Sequence, residues 1–423
     1  MTTSGGRQRI LIVGAGIAGP VLAYWLTRNG FSVTVVERAP SLRRTGGHAV
    51  DLFRPAMDIA EKMGVLARIE ERATGSNRLT LWPEGARRPV RADLSKIFSA
   101  TSERHAEIMR DDLSEIFYDA TRDDVEYVFG DSIAAISPDG AAVSPDGEVR
   151  FDHAAPRRFD LVVGADGAHS AVRALVFGAE SRFGSYAGAH FGVLAVPDTA
   201  GLDGELRIHV GVGRTAGVYG ARHLDDARVL FLFRSDQQID YHDTDAPRQK
   251  ELLRRAFAGL HADVDGWLAE LDGTSAFYFD SITQIRMDSW SRGRVTLVGD
   301  AGYGPGPAVG GSTSLAIVGA YVLAGELARA GGDHERAFPA YERVMAGHVR
   351  GSREVALSAA RRLIPRSRLG VTGLAQGARL IAALPAGPAR AFARLATSSA
   401  RVYNSMAVED YPTSPHRDAP ASS

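Results

Sequence analysis

Cysteine is absent from the 423 residues. That absence removes disulfides, thiolate nucleophiles, cysteine metal sites and dithiol redox chemistry. Net charge is almost absent too, since 49 lysines and arginines face 50 aspartates and glutamates, a formal balance of -1. A generally nucleic-acid-binding surface needs a basic excess, so no nucleic-acid partner is expected. No run of about eighteen uninterrupted apolar residues occurs, which argues against stable membrane insertion. The first eight residues are polar and glycine-containing, so no signal peptide is expected and the chain reads as cytoplasmic. No Ser-His-Asp set, metal-ligand cluster or carboxylate pair is recognisable by spacing, and no metal site is expected. What remains is ordinary globular composition, 45% hydrophobic and 23% charged, in a length suited to two closely joined domains plus an extension.

The organising stretch is residues 9–38. Ile10, Leu11, Ile12 and Val13 form an apolar run into the spacing Gly14-Ala15-Gly16-Ile17-Ala18-Gly19, and residues 32–36 lead out to Glu37. Gly14 permits a tight turn out of a buried strand, Gly16 lets a pyrophosphate approach the backbone, and Gly19 lets the following helix pack on the sheet. The helix start offers free N–H groups and its positive dipole end to phosphate. Glu37 stands where an acid can accept from ribose hydroxyls. Strand, turn, helix, strand and terminal acid agree on dinucleotide binding.

Further along, Arg43, Arg44, Gly46, Gly47 and Asp51 belong to a loop that either lies across a cofactor or is solvated surface. Residues 56–64 read as an amphipathic helix stopped by Gly64. Residues 74–101 break into short strand-like pieces and are expected to leave the nucleotide domain for a second one. Residues 107–117 show helical spacing, with Arg110 at its start as a ligand or a surface residue. The stretch 159–173 repeats a buried strand and small-residue turn, Gly164-Ala165-Asp166-Gly167, but lacks the GxGxxG spacing. It is expected to close the sheet and touch the same cofactor. Residues 181–281 suit an antiparallel sheet with a helical interlude at 247–271. Phe277, Tyr278 and Phe279 there either line a cavity or pack a core. Residues 290–314 feed a strand into Gly299-Asp300-Ala301 and a glycine- and proline-rich loop, then a helix over 315–330. Asp300 stands at a strand's carboxyl end, where open α/β sheets put ligand-binding residues. The N–H groups near Gly310 and Ser312 could stabilise negative charge on a heterocycle.

Together the three turns, GxGxxG, Gly-Ala-Asp-Gly and Gly-Asp-Ala, resemble the FAD-dependent aromatic hydroxylases of the p-hydroxybenzoate hydroxylase fold. The likeness is greatest to the tetracycline-degrading monooxygenase branch and its actinobacterial relatives, and it covers residues 9–330. It implies an α/β fold: a Rossmann-like, GR2-type FAD-binding domain (1–73, 102–180 and 282–349) with an inserted antiparallel-sheet substrate domain (74–101 and 181–281). A C-terminal helical extension (350–410) and a disordered tail (411–423) follow. By resemblance, Gly14, Ala15, Gly16, Ala18 and Gly19 hold the FAD pyrophosphate, Glu37 the ribose, and Arg38 lies by the adenine. Arg110 contacts the ribityl region, Asp51 lies near the cofactor, and Asp300 holds the ribityl chain or adjacent phosphate. Arg44 is associated with NADPH, Asp166 with both FAD and NAD(P)H. The last loop departs from the pattern: Tyr303 replaces a frequent His, Gly311 a Gln, Ser312 a Gly and Ser314 an Asn.

The resemblance implies NAD(P)H as co-substrate, O2 addition to give a flavin C4a-hydroperoxide, and hydroxylation of an aromatic or polyketide-type small molecule, as in antibiotic modification. Alternatives are a flavin oxidase, dehydrogenase or reductase on the same fold, or a non-redox flavin-binding helper. His48, His190 and Tyr303 are candidate bases by proximity to motifs alone. The span 350–401 holds ten arginines against one acid, Glu354. It reads either as a cover for an anionic surface or as a helical tail packed on the flavin domain.

Overall fold

A computed structural model describes residues 7–42, 47–94, 104–136, 148–198, 201–221, 223–236, 238–239, 245–274, 276–307, 311–385, 387–388, 402, 406 and 408–412. The run from Arg9 to Val13 is the middle of a six-stranded sheet. Its order is Ser291–Arg292, Val295–Leu297, Leu161–Gly164, Arg9–Val13, Ser32–Glu37 and Glu126–Phe129. All pairings are parallel except the Ser291–Arg292 edge. Parallel strands are covered on both faces and so tolerate unbroken apolar runs, and Ile10, Leu11 and Ile12 are fully buried. Helices Ala18–Arg28 and Ser312–Arg329 lie together in that core. The second is buried from Ser314 to Leu327, as befits a helix apolar on every side.

The second sheet has seven strands in the order Phe277–Ile285, Gly184–Pro197, Asp226–Arg234, Arg214–Gly220, Glu205–Gly211, Arg78–Pro83 and Val90–Asp93. Only Glu205–Gly211 and Arg78–Pro83 run parallel. The two strands from residues 78–93 therefore extend a sheet built mainly from residues 184–285. Its outer face packs on helices Ala246–Phe257 and Ala262–Ala269 through Leu194, Phe231, Phe233 and Phe279. Its inner face sets Phe191, Val193, Leu232 and Ile282 against Ala356, Ala360 and Ile364 at the end of the helix His334–Leu363. A two-stranded ribbon, Ala49–Phe53 with His105–Met109, connects the two sheets, and a small three-stranded sheet covers Ile133–Ile136, Glu148–Phe151 and Arg157–Arg158.

Three expectations change and one open alternative is decided. Residues 107–109 are strand, and the helix begins only at Arg110. Burial alternates there, with Ala106 and Ile108 inside and His105 and Glu107 partly out, a period of two that the apolar content of Ile108 and Met109 hides. The boundary at 350 falls inside one continuous helix, His334–Leu363. The disordered tail does not begin at Tyr411, which is buried against Gly325; its phenol donates to Glu326 Oε1 at 2.7 Å and its amide donates to the Tyr321 phenol oxygen at 3.1 Å. Residues 413–423 lie outside the described residues. Finally, the aromatic run divides by strand alternation: Phe277 and Phe279 join the outer core, while Tyr278 meets Phe191 on the inner face.

Candidate active site

The three glycines of the first turn have separate tasks. Gly14 has φ +108°, and a Cβ there would stand 2.5 Å from the Ala165 carbonyl oxygen, so the first turn rests directly on the Gly164–Gly167 turn. A Cβ on Gly19 would strike the Gly14 carbonyl oxygen. A Cβ on Gly16 would meet nothing nearer than Arg110 Nη2 at 3.9 Å. Two positions thus serve chain packing, and the third faces open space beside a guanidinium. The helix Ala18–Arg28 begins behind Ile17 with no side-chain cap, leaving backbone donors of the kind that hold phosphate. Ala15 and Ala18 are buried beside them. Glu37 accepts from the Ala15 amide at 2.8 Å and the Ala39 amide at 2.9 Å, bracing the turn, while Arg38 is exposed next to it.

A loop over 47–49 is strapped from both domains. The Gly47 amide donates to Asp111 Oδ2 at 2.7 Å, its carbonyl accepts from Arg228 Nε at 3.2 Å, and the Ala49 amide donates to the Tyr219 phenol at 2.8 Å. The Arg110 amide donates to the His48 carbonyl at 3.0 Å, and the Arg110 side chain remains exposed at the start of its helix. Burial raises the Asp111 carboxyl, opposed by the Gly47 amide, Arg110 and Arg228. Burial also raises the Tyr219 phenol.

Sequence spacing hid a carboxylate pair. Asp51 and Glu107 are direct partners across the ribbon. Asp51 Oδ1 lies 2.7 Å from His105 Nε2, and Glu107 accepts from Thr74 Oγ1 at 2.5 Å. Burial and then the Asp51 charge raise the Glu107 carboxyl. The two acids are far apart in sequence, so only strand pairing brings them together. Tyr219 and Arg228 were likewise invisible to motif reading, because nothing but the sheet register brings them to the strap.

Asp300 starts the short helix Asp300–Tyr303 after Gly299, whose φ is +67°. A Cβ on Gly299 would touch the Cβ atoms of Ala316 at 3.3 Å and Ala18 at 3.4 Å, so this third turn sits at the foot of the first helix. Burial raises the Asp300 carboxyl and the Arg110 charge opposes it, which puts that ion within electrostatic reach of both Asp300 and Gly16. Asp166 is directed inward, accepting from Ser170 Oγ at 2.5 Å and the Val172 amide at 3.1 Å, and burial raises its carboxyl. Ser312 is the first residue of its helix, behind Gly311 at φ +86°. Left-handed backbone falls on the glycine, so the serine adopts ordinary helical geometry without strain. Ser314 Oγ accepts from the Phe53 amide at 3.0 Å and donates to the Asp51 carbonyl at 3.3 Å, pinning the helix start to the ribbon. Arg44 and Gly310 lie outside the described residues.

Two of the three candidate bases are misplaced. His190 is on the outer face, stacked on Phe233 and Phe279, and burial pushes it down to about 4. Tyr303 is fully buried, accepts from the Tyr341 phenol at 2.9 Å, and is pushed up to about 12 by burial. Both are core groups. His48 faces the inner sheet, its ring edge-to-face with Phe191 at 6.2 Å, and burial followed by the Arg110 charge pushes it down to about 4. It is neutral near pH 7 and can accept a proton-sharing bond.

One ion network spans both domains. His169 Nδ1 is 3.1 Å from Glu180 and its Nε2 3.1 Å from Asp280, which also accepts from Tyr278 at 2.9 Å. These two carboxylates raise His169 to about 10. Glu180 accepts in turn from buried Arg173 at 2.6 Å.

The arrangement meets the demands of a flavin nucleotide in three respects: an unfilled space at Gly16, uncapped helix donors, and a cation beside them. Comparisons with known proteins agree. Residues 7–340 match the profile of the FAD binding domain family. An uncharacterized Mycobacterium tuberculosis protein is 43% identical over 349 residues, 81% of this chain and 91% of its own. A flavin-dependent monooxygenase of Legionella longbeachae is 35% identical over 342 residues, covering 81% of this chain and 86% of its own. The crystal structure of tetracycline destructase Tet(51) superposes with a TM-score of 0.75 at 30% identity, covering 90% of this chain and all of that one.

Proposed function

The chain belongs to the FAD-binding-domain family of flavin-dependent monooxygenases, and from that premise we propose that it transfers one atom of O2 to an aromatic or polyketide-type small molecule, with NAD(P)H as the reductant. The observation that carries the reading is that Arg110, from a third part of the chain, stands both 3.9 Å from where a Cβ on Gly16 would lie and within electrostatic reach of Asp300. Bound FAD supplies the activation of O2 once a nicotinamide has reduced it.

In this reading Gly14, Ala15, Gly16, Ala18 and Gly19 form the pyrophosphate bed, and Glu37 turns its remaining lone pairs to the ribose while Arg38 flanks the adenine. Arg110 and Asp300 hold the ribityl and phosphate region between them. Asp51, Gly310 and Ser312 border the ring system, Asp166 supports the turn from behind, and Arg44 meets the nicotinamide nucleotide. On the inner face Tyr278 is exposed and is the side chain set to meet the substrate, backed by the Phe191 and Val193 core that keeps water out. The likeness to a tetracycline destructase supports a fused-ring, enolisable polyketide as substrate class and antibiotic modification as the task.

Turnover under 18O2 with NADPH or NADH and a panel of phenolic and polyketide substrates tests the proposal. One labelled oxygen in the product is the expected result. Consumption of nicotinamide with unlabelled oxidised product under coupled turnover overturns it in favour of an oxidase or dehydrogenase on the same fold.

A further inference from the structure

On the outer face of the second sheet, away from the strap over 47–49, three ligand-bearing side chains converge. His209 comes from the strand Glu205–Gly211, and His261 and Asp263 from the start of the helix Ala262–Ala269. His209 is 1% exposed, and neither ring nitrogen has a hydrogen-bond partner among the described residues. Its Nε2 is 3.4 Å from Asp263 Oδ2, out of line for a hydrogen bond, and His261 Nδ1 is 3.7 Å from the same oxygen. One ligand atom from each of the three lies within 4.8 Å of the others. A buried imidazole with no well-aligned hydrogen bond is costly, and the Asp263 carboxylate at 3.4 Å offsets that cost only in part.

We propose that His209, His261 and Asp263 bind one divalent transition-metal ion of the zinc class. A tetrahedral ion with bonds of about 2.0–2.1 Å spaces its ligands about 3.3–3.4 Å apart, so the two separations to Asp263, 3.4 and 3.7 Å, already stand near that spacing, and the histidine pair, within 4.8 Å, closes the rest by side-chain rotation. Two imidazoles and one carboxylate suit zinc, cobalt or nickel and not the all-oxygen sets of calcium or magnesium. Trp82 and Trp267 pack around the rings, at centroid distances of 6.4 and 5.3 Å from His209, giving the apolar shell that limits solvent at such a site.

The competing contacts are weak enough to yield. Arg207 Nη1 is 3.8 Å from Asp263, while its Nη2 has a nearer carboxylate in Glu205 at 3.2 Å. His261 Nδ1 accepts the Asp263 amide at 3.1 Å as a helix cap, a bond the ion replaces. Asp263 also borders a groove of about 980 Å³ lined in part by Trp82 and Arg207, which leaves room for a water as the fourth ligand. The ion clips the helix start to the edge of the sheet and stabilises only the folded chain.

The flavin-loaded protein, stripped with a chelator, is titrated with Zn2+ and with Co2+, with Mg2+ as control. One ion per chain, a tetrahedral Co2+ spectrum and a rise in melting temperature that chelator reverses are expected. Each of His261→Ala, Asp263→Asn and His209→Ala weakens binding more than about tenfold at unchanged flavin content. The first two are at partly exposed positions and decide the matter even where the buried substitution unfolds the chain. No stoichiometric binding, an equal response to Mg2+, or undiminished binding in His261→Ala and Asp263→Asn overturns the proposal.

Discussion

At the scale of single residues, the three glycines of the first turn look alike in sequence and differ in structure. Gly14→Ala places a Cβ 2.5 Å from a backbone oxygen at φ +108°, and strain of about 1–3 kcal/mol or more follows. Gly16→Ala finds only Arg110 at 3.9 Å, so folding is expected to change by less than about 0.5 kcal/mol while FAD affinity falls. Denaturant melts of the apoprotein beside FAD titrations separate the two. Equal loss of stability in both variants counts against the assignment. The turn residues were legible because each chemical need is local to a few positions. Asp51 with Glu107, and Tyr219 with Ala49, were not, since contacts across roughly 56 to 170 residues depend on register and leave no spacing to read.

At the scale of elements, the strap over 47–49 should respond to Tyr219→Phe. That change leaves the Ala49 amide without its acceptor in a buried setting, at a cost of about 1–3 kcal/mol. Because the strap also carries His48 and abuts Arg110, weaker FAD binding should accompany the lost stability. A variant with wild-type stability and FAD affinity would show that the strap has no such role. Element types were partly readable. Residues 9–38 announce strand and helix through clean periodicity, whereas His105–Met109 is too short to separate a strand from the helix it adjoins. The run Phe277, Tyr278, Phe279 could be resolved only by asking which way each strand position points, since alternation sends Tyr278 inward and its neighbours outward.

Across the whole molecule, two histidines give opposite pH signatures. His169, raised to about 10 by Asp280 and Glu180, titrates near 6.5 when unfolded. Its contribution is therefore complete below about 6.5 and lost as pH rises through about 10. The stability gap between wild type and His169→Gln should shrink across that interval, by a modest amount because the side chain is 44% exposed and partly screened. His190 is depressed to about 4 by burial, so the unfolded chain takes up a proton between about 6.5 and 4 that the folded chain refuses, and stability falls there. His190→Phe should flatten that fall. Melting temperatures from pH 4 to 10 check both, and parallel curves for all three proteins contradict the assigned states. The domain alternation was visible in composition shifts along the chain. The seating of Tyr411 beneath Gly325 was not, because one aromatic residue in a proline- and serine-rich tail carries no periodic signal.

The most direct test counts the FAD released on denaturing the purified chain, and measures its re-uptake by the apoprotein and by Arg110→Ala. One FAD per wild-type chain is predicted, with uptake by the variant weakened about tenfold to a hundredfold, as suits a charged hydrogen bond. A chain that carries no FAD and takes none up on reconstitution contradicts the account.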